Sequence, residues 1–486
     1  MPKAGKLKAL LREVEYLAIS GDPEVEISAI VADSRAVRPG SLFVALVGAK
    51  HDGHDYIREA IENGAVAVVG EKDLPLELNG VTYLRVPDSR RALAELAAAF
   101  YGHPTRSLFT VGITGTKGKT TVAHLSWSLL GEEKTELIST ITNNLERGIV
   151  NTTPEPITLQ RIASEALRKG KESLVLEVSA HALSQHRVHR IDFDVAVFTN
   201  LSHDHLDYYK TMEDYLWAKL KLFSILKPSG VAIINRDDPY GRKFIAATAT
   251  KAGAEVLTYG FSPKAVIQAD GLRLRLTGSR FLVRTPVGEM AIETALPGEF
   301  NVYNILAAAG VGLARGLPLR EIKERLERVK HIEGRCERYP ARAGFDVVID
   351  FAHSPDALKK MIEALKPHYH RVLTVFGCGG ESDRTKRPLM GRIAGELSDY
   401  VIITSDNPKS EEPGRIIAEI VAGLEETSVR YEAIVDRRGA IRRALELAHP
   451  GDVILIAGKG HERSQVFADR EEKFNDREFL KGEGVL

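Results

Sequence analysis

Cysteine is almost absent: the 486-residue chain has two, Cys336 and Cys378, too few for a disulfide scaffold or a cysteine-rich zinc module. Neither sign of charge is in excess, because 66 Lys and Arg balance 66 Asp and Glu. A chain so balanced has no overall field to draw it to nucleic acid or an anionic membrane. No apolar run approaches the roughly 20 residues that span a bilayer. The opening MPKAGKLKALLREVEYLAI is broken by charge too often for a signal peptide. Low-complexity tracts and short-period repeats are also missing. What remains is ordinary for a globular protein, 44% apolar and 27% charged residues. The length suggests about three domains at roughly 150 residues each. The expectation is a soluble, cytoplasmic, multidomain protein.

In the first third, VADSRAVRPGSLFVALVG reads as strand, turn at Pro39-Gly40, strand. YIREAIENGAVAVVG reads as a helix closed by Gly64 and then a buried strand. RRALAELAAAFYGHPT reads as a helix ending before Pro104, which sets the first boundary. From Ser107, strands stop abruptly in polar loops: SLFTVGIT runs into GTKGKT, SLVLEVS into AHALSQHR, DVAVFTN into LSHDHLD. Helical stretches lie between them, the alternation of a parallel sheet with crossover helices. A second boundary falls near HIEGRCERY, and the last third repeats the arrangement without a phosphate loop. The predicted fold is α/β with three domains, residues 1–106, 107–333 and 334–486, the last doubly wound and Rossmann-like. Ligands of such sheets sit at the carboxyl ends of the strands.

The strongest chemical signal is GITGTKGKTTVAHL, Gly112 to Leu125. A strand delivers a glycine-rich loop to a helix starting near Thr120, with Val122, Leu125 and Leu129 on one face. Such a loop and helix start cradle polyphosphate. Lys119 would sit on the terminal phosphates, and Thr120 would offer its hydroxyl to magnesium. The strict pattern is missed, since Ile113 stands where it requires glycine. Glu177 ends the apolar run LVLEVS, either as a carboxylate escaping at a strand end or as a magnesium ligand. His203 and His205 flank Asp204 in a polar loop, a poor zinc pattern without a third ligand. Lys219 lies inside the apolar stripe Met212, Tyr215, Leu216, Phe223, whereas Lys221 falls outside it. Snorkelling and chemical modification of a desolvated neutral amine are both open for it. In the last third, Lys386–Pro388, Asp406–Lys409 and Gly458–Glu462 each follow a strand. Singly they are ordinary turns; together they favour a second ligand site.

These segments resemble the ATP-dependent Mur ligases of peptidoglycan synthesis, and within them the branch that adds the third stem-peptide residue. The resemblance covers essentially the whole chain, through DSRAVRPGSLFVALVG, TGTKGKTT, NTTPEP, EVSAHALSQHRV, NLSHDHLDYY, GEFNVYNILAA, GRCE, DFAHSPDAL, TKRPLMG, DNPKSEEP and AGKGHE. It implies a uridine-binding domain, a central P-loop ATPase domain and a C-terminal domain that recruits the amino acid. Gly115, Thr116, Lys117, Gly118, Lys119, Thr120 and Thr121 would hold the ATP phosphates, with Asn304 and Arg335 near the nucleotide. Thr120, Glu177, His205 and a carbamylated Lys219 would bear on Mg2+. Ser34 and the Ala49-Lys50-His51 turn would meet the nucleotide sugar. Asn151, Thr152, Thr153, Ser179, Gln185 and Arg187 would grip the muramoyl dipeptide. Arg387, Asp406, Asn407, Pro408, Lys409, Gly458 and Glu462 would take the amino acid.

The implied reaction is amide ligation. ATP phosphorylates the D-glutamyl side-chain carboxylate of UDP-N-acetylmuramoyl-L-alanyl-D-glutamate, and an amine displaces phosphate. Lysine at 409, where arginine is usual, keeps the charge but loses the bidentate fork. Lys409 and Arg387 together favour meso-diaminopimelate over L-lysine, because the former has an extra carboxylate at its far end. A monomer is expected. L-lysine ligation and a folylpolyglutamate synthetase-like ligase are the alternatives.

Overall fold

The structure, a computed structural model, describes residues 5–48, 51–73, 80–149, 151–204, 208–251 and 253–485. Three main sheets occupy the chain in succession. The first holds β1 (Ala18–Ser20), β2 (Ala29–Val31), β3 (Ser41–Val44), β4 (Ala65–Gly70) and β5 (Thr82–Arg85), in the order β1-β5-β4-β3-β2. All its pairs are parallel except β1 with β5. Parallel neighbours usually need a helical crossover. Here β2 and β3 are joined by a link whose only helical element is the 3-10 turn Ser34–Ala36, capped by Asp33. Helix α1 (Ser89–Phe100) packs Leu93 and Leu96 on this sheet's core; Asp88 caps its start by accepting from Arg91 N.

The central sheet contains β6 (Phe109–Thr114), β7 (Thr135–Ile138), β8 (Ser173–Glu177), β9 (Phe193–Phe198), β10 (Leu226–Asn235), β11 (Glu255–Gly260), β12 (Ile267–Arg275), β13 (Gly278–Thr285) and β14 (Gly288–Thr294). Its order is β14-β13-β12-β11-β10-β9-β6-β8-β7. The strands from β7 to β12 pair in parallel, and β12, β13 and β14 form an antiparallel meander. Strand alternation sends Val175 into one packed layer and Leu174 and Leu176 into the other, so both faces are covered. One layer holds α2 (Lys119–Leu130) and α4 (Glu299–Ala314); the other holds α3 (Met212–Ser224). Val122, Leu125 and Leu129 are fully buried, as their spacing predicts.

The third sheet has β15 (Glu337–Pro340), β16 (Asp346–Asp350), β17 (Val372–Phe376), β18 (Tyr400–Ile403), β19 (Arg430–Ala433) and β20 (Val453–Ala457), ordered β15-β16-β20-β17-β18-β19. It is parallel apart from the β15 edge. Helices α5 (Lys386–Leu397) and α6 (Asp476–Gly482) serve its two cores. Among the described residues no helix is long and apolar enough to cross a membrane.

Candidate active site

The carboxyl ends of the central and third sheets share a cleft of about 1790 Å³, larger than one small ligand needs. Strand β6 delivers the chain into the loop 115–118, and α2 starts at Lys119. Geometry demands glycine at two points. A Cβ on Gly115 (φ +149°) would stand 1.9 Å from Thr199 Oγ1, and one on Gly118 (φ +86°) 2.5 Å from Asn304 Oδ1. Residues after β9 hold the loop in shape: Thr199 Oγ1 and Asn200 Nδ2 donate to the Lys117 carbonyl (2.6 and 3.0 Å), and Lys117 N donates to Asn200 Oδ1 (2.9 Å). The Lys117 amine pairs with Asp204 at 3.0 Å. Among the described residues the amine of Lys119 has only dipoles as hydrogen-bond partners, donating to the Gly115 and Thr116 carbonyls (2.9 and 3.0 Å). Burial pushes its pKa down to about 8, Glu177 opposing. A cation so placed, beside a helix start, is a receptor for phosphate.

Glu177, at the end of β8, is buried. Its carboxylate accepts from Thr120 Oγ1 (3.1 Å) and Thr140 N (2.8 Å), and burial raises its pKa against the pull of Lys119. Lys219 lies on α3, fully inside, its amine donating to the Gly115 carbonyl at 2.9 Å and standing 4.3 Å from the Tyr215 ring centre. Burial, with Lys119 adding, drives its pKa well below the usual lysine range. It does not snorkel. Lys221 is exposed.

Arg335, two residues before β15, reaches back to the central sheet: its Nη2 donates to Thr120 Oγ1 at 3.1 Å, and its guanidinium lies 4.5 Å from the Phe351 ring centre. Asn304 donates to Asn301 Oδ1 (3.1 Å), and both line the cleft from α4. On the facing wall Asp406, Asn407, Lys409, Gly458 and Glu462 line the same cleft. Asn407 Nδ2 donates to Glu462 Oε2 (2.7 Å), and the buried Lys459 amine donates to Asn407 Oδ1 (2.9 Å) and Glu462 Oε2 (2.8 Å). Burial raises the Glu462 pKa, Asp406 adding to it. Lys409 holds left-handed backbone (φ 52°), is exposed, and makes no side-chain hydrogen bond or ion pair among the described residues.

Arg387 differs from expectation. Its guanidinium is fully buried, its two Nη atoms held by Glu411 (2.9 and 3.0 Å) and Glu419 (2.8 Å) with a further bond to the Gly379 carbonyl; its Nε has no hydrogen-bond partner among the described residues, and the side chain does not line the cleft. Two carboxylates already neutralise it, so it offers no free cation to a substrate. Pro408 is buried and does not line the cleft.

The dipeptide set is partly assembled. Thr153 Oγ1 donates to the Glu177 carbonyl (2.8 Å) and accepts from Ser179 N (3.0 Å); Arg187 donates to the Thr153 carbonyl (2.9 Å) and to Gln185 Oε1 (2.7 and 3.1 Å). Thr152 Oγ1 accepts from Thr140 and lines the cleft, whereas Asn151 is exposed and uses its carbonyl on Asn143. Ser34 donates to Glu59 (2.9 Å) in the first module, away from the cleft lining, and His51 is exposed. Ala49, Lys50 and His205 lie outside the described residues. The sequence reading missed Asn301 and Asp350. Asp350, at the end of β16, accepts from Cys336 N (2.8 Å) and lines the cleft beside Arg335. Its position at a strand's carboxyl end was the available signal.

Three family models match: the Mur ligase family catalytic domain over residues 26–101, the Mur ligase middle domain over 113–312, and the Mur ligase glutamate ligase domain over 334–460. The chain is 44% identical over 482 residues to the UDP-N-acetylmuramoyl-L-alanyl-D-glutamate--2,6-diaminopimelate ligase of Caldanaerobacter subterraneus subsp. tengcongensis, covering 98% of each. It is 44% identical over 484 residues to the enzyme of that name from Geobacillus thermodenitrificans, covering 97% of this chain and 98% of the relative. A solved structure of a ligase with the same name aligns over the whole of both chains, with a TM-score of 0.68 and 31% identity.

Proposed function

The chain belongs to the Mur ligase family, and on that premise we propose that it joins meso-diaminopimelate to the D-glutamyl side chain of UDP-N-acetylmuramoyl-L-alanyl-D-glutamate, using ATP. The observation that carries this is one cleft with a phosphate loop on its central wall and Asp406, Asn407, Lys409 and Glu462 on the other. The γ-phosphoryl group passes to the acceptor carboxylate as ADP leaves. The incoming amine attacks the acyl phosphate, and the tetrahedral intermediate expels phosphate. Phosphoryl transfer needs positioning and charge neutralisation. Lys119 and Arg335 supply cations, and α2 directs its start at the same point.

Magnesium fits the oxygen donors here, Thr120 Oγ1 and Glu177, and would neutralise phosphate charge when bound. Among the described residues no group of three His, Cys, Asp or Glu side chains could hold a metal alone. Phosphate and modified-lysine oxygens would complete the set. Lys219 as an amine is no ligand. Its burial favours the neutral nucleophilic form, which adds CO2: an N–C bond forms, a proton leaves, and the product is an anionic carbamate with two oxygens.

At the amino-acid end Glu462 and Asp406 suit an ammonium, and Lys409 suits the distal carboxylate that distinguishes diaminopimelate from L-lysine. In a coupled assay, steady-state ADP formation over many turnovers should require acceptor and amino acid together, with folate ineffective as acceptor. Lys119→Ala should lower kcat by roughly 10²–10³-fold or more. Turnover near normal in that variant would overturn the phosphate-loop role.

A further inference from the structure

The seam between the first module and the central one is built around Glu95 on α1, which is 1% exposed. A single oxygen of its carboxylate, Oε1, meets three groups: Arg91 Nε at 3.2 Å from its own helix, and His189 Nε2 at 3.1 Å and Arg190 Nη2 at 3.2 Å from the central module. Arg190 continues to the Glu13 carbonyl at 2.6 Å, and His186 stands 3.5 Å from Asp88, the cap of α1. The loop 185–190 is therefore held from outside along its length.

The loop has backbone bonds of its own, Arg187 N to the Ala182 carbonyl (2.9 Å) and His189 N to the His186 carbonyl (3.0 Å), yet two of its residues take a costly conformation. His186 (φ 56°) and Arg190 (φ 67°) both adopt the left-handed region, which L side chains occupy only when their surroundings over-determine it. Between them lies Arg187, whose guanidinium is aimed the other way, at Gln185, the Thr153 carbonyl and Glu155 (2.9 Å). One short loop thus has a domain seam on one side and the acceptor's peptide-binding group on the other.

We infer that Glu95 is a positioning residue for the acceptor: by anchoring His189 and Arg190 it fixes the strained loop that presents Gln185 and Arg187. The inference rests on the reading above, in which Gln185 and Arg187 grip the muramoyl dipeptide. Without the carboxylate, His189 and Arg190 lose their shared acceptor, the two left-handed residues relax, and Arg187 moves with them. ATP sites lie on other loops and are untouched.

The test is steady-state kinetics of Glu95→Gln and His189→Ala, with Arg187→Ala as reference and thermal melts on all three. The second variant keeps the carboxylate paired with two arginines, so a result survives if Glu95→Gln fails to fold. Expected is a rise of about tenfold in KM for the UDP-linked acceptor, with kcat and KM for ATP within about twofold of the parent. A KM unchanged in the folded seam variants, while Arg187→Ala raises it, would make Glu95 structural glue only. A KM unchanged in Arg187→Ala as well would overturn the dipeptide grip itself.

Discussion

Lys119 and Lys219 donate to one carbonyl, that of Gly115, and two ammonium groups so close repel. The deeper one, Lys219, is the group whose neutral form burial favours most. Lys219→Ala should lose at least about 100-fold in kcat and recover part of it with added formate or acetate, which replace the missing carbamate oxygens. Full activity without rescue would remove the modification from the account. A second comparison separates Lys409, a cation free to meet the substrate, from Arg387, a cation spent on its own fold. Lys409→Ala should raise KM for diaminopimelate without loss of stability. Arg387→Ala should cost about 2–3 kcal/mol in unfolding free energy, less than a fully buried pair because Glu411 and Glu419 are partly exposed. Equal effects of both variants on KM would restore Arg387 to the site. Residues defined by local order were legible: the Gly-Lys-Thr-Thr run and Lys219's place in an apolar stripe needed no tertiary information. The state of Arg387 was not, because its partners lie beyond the next strand and spacing gives no sign of them. Asn301 and Asp350 were missed because one polar residue in an apolar segment has too many ordinary explanations.

At the scale of elements, apolar runs ending in polar loops identify the parallel strands β6, β8, β9, β16, β17, β18 and β20. Such strands are buried on both faces, so continuous apolar character is their signature. The meander β12 to β14 escaped notice. It alternates apolar with polar residues, and much of it is exposed. Helix α6 is the other element with a hidden anchor: Arg437 and Asp476 form a fully buried bidentate pair at 2.8 and 2.8 Å. Asp476→Ala leaves the guanidinium uncompensated, at a cost of about 3–5 kcal/mol. Urea unfolding should show an earlier first transition, read as a shift of that transition because a chain of several modules does not unfold in two states. An unshifted curve would mean that α6 docks through its apolar contacts alone.

Across the whole molecule, each module contributes something the others lack. The central sheet supplies the glycine-rich loop 115–118 and Lys119, the chain around the third sheet supplies Arg335 and the facing wall of the cleft, and α1 beside the first sheet is bonded through Glu95 to Arg190 in the loop that carries Gln185 and Arg187. A reaction joining two carboxyl-bearing molecules at the expense of a polyphosphate needs convergence of this kind, since most of its barrier is orientation and charge. The most direct measurement is mass spectrometry of the product when the purified protein receives ATP, UDP-N-acetylmuramoyl-L-alanyl-D-glutamate, and an equimolar mixture of meso-diaminopimelate and L-lysine. The account expects the acceptor to gain one diaminopimelyl residue, with one ADP formed per product. A lysyl product would contradict the charge argument at Lys409, and no ligated product with either amino acid would contradict the ligase itself.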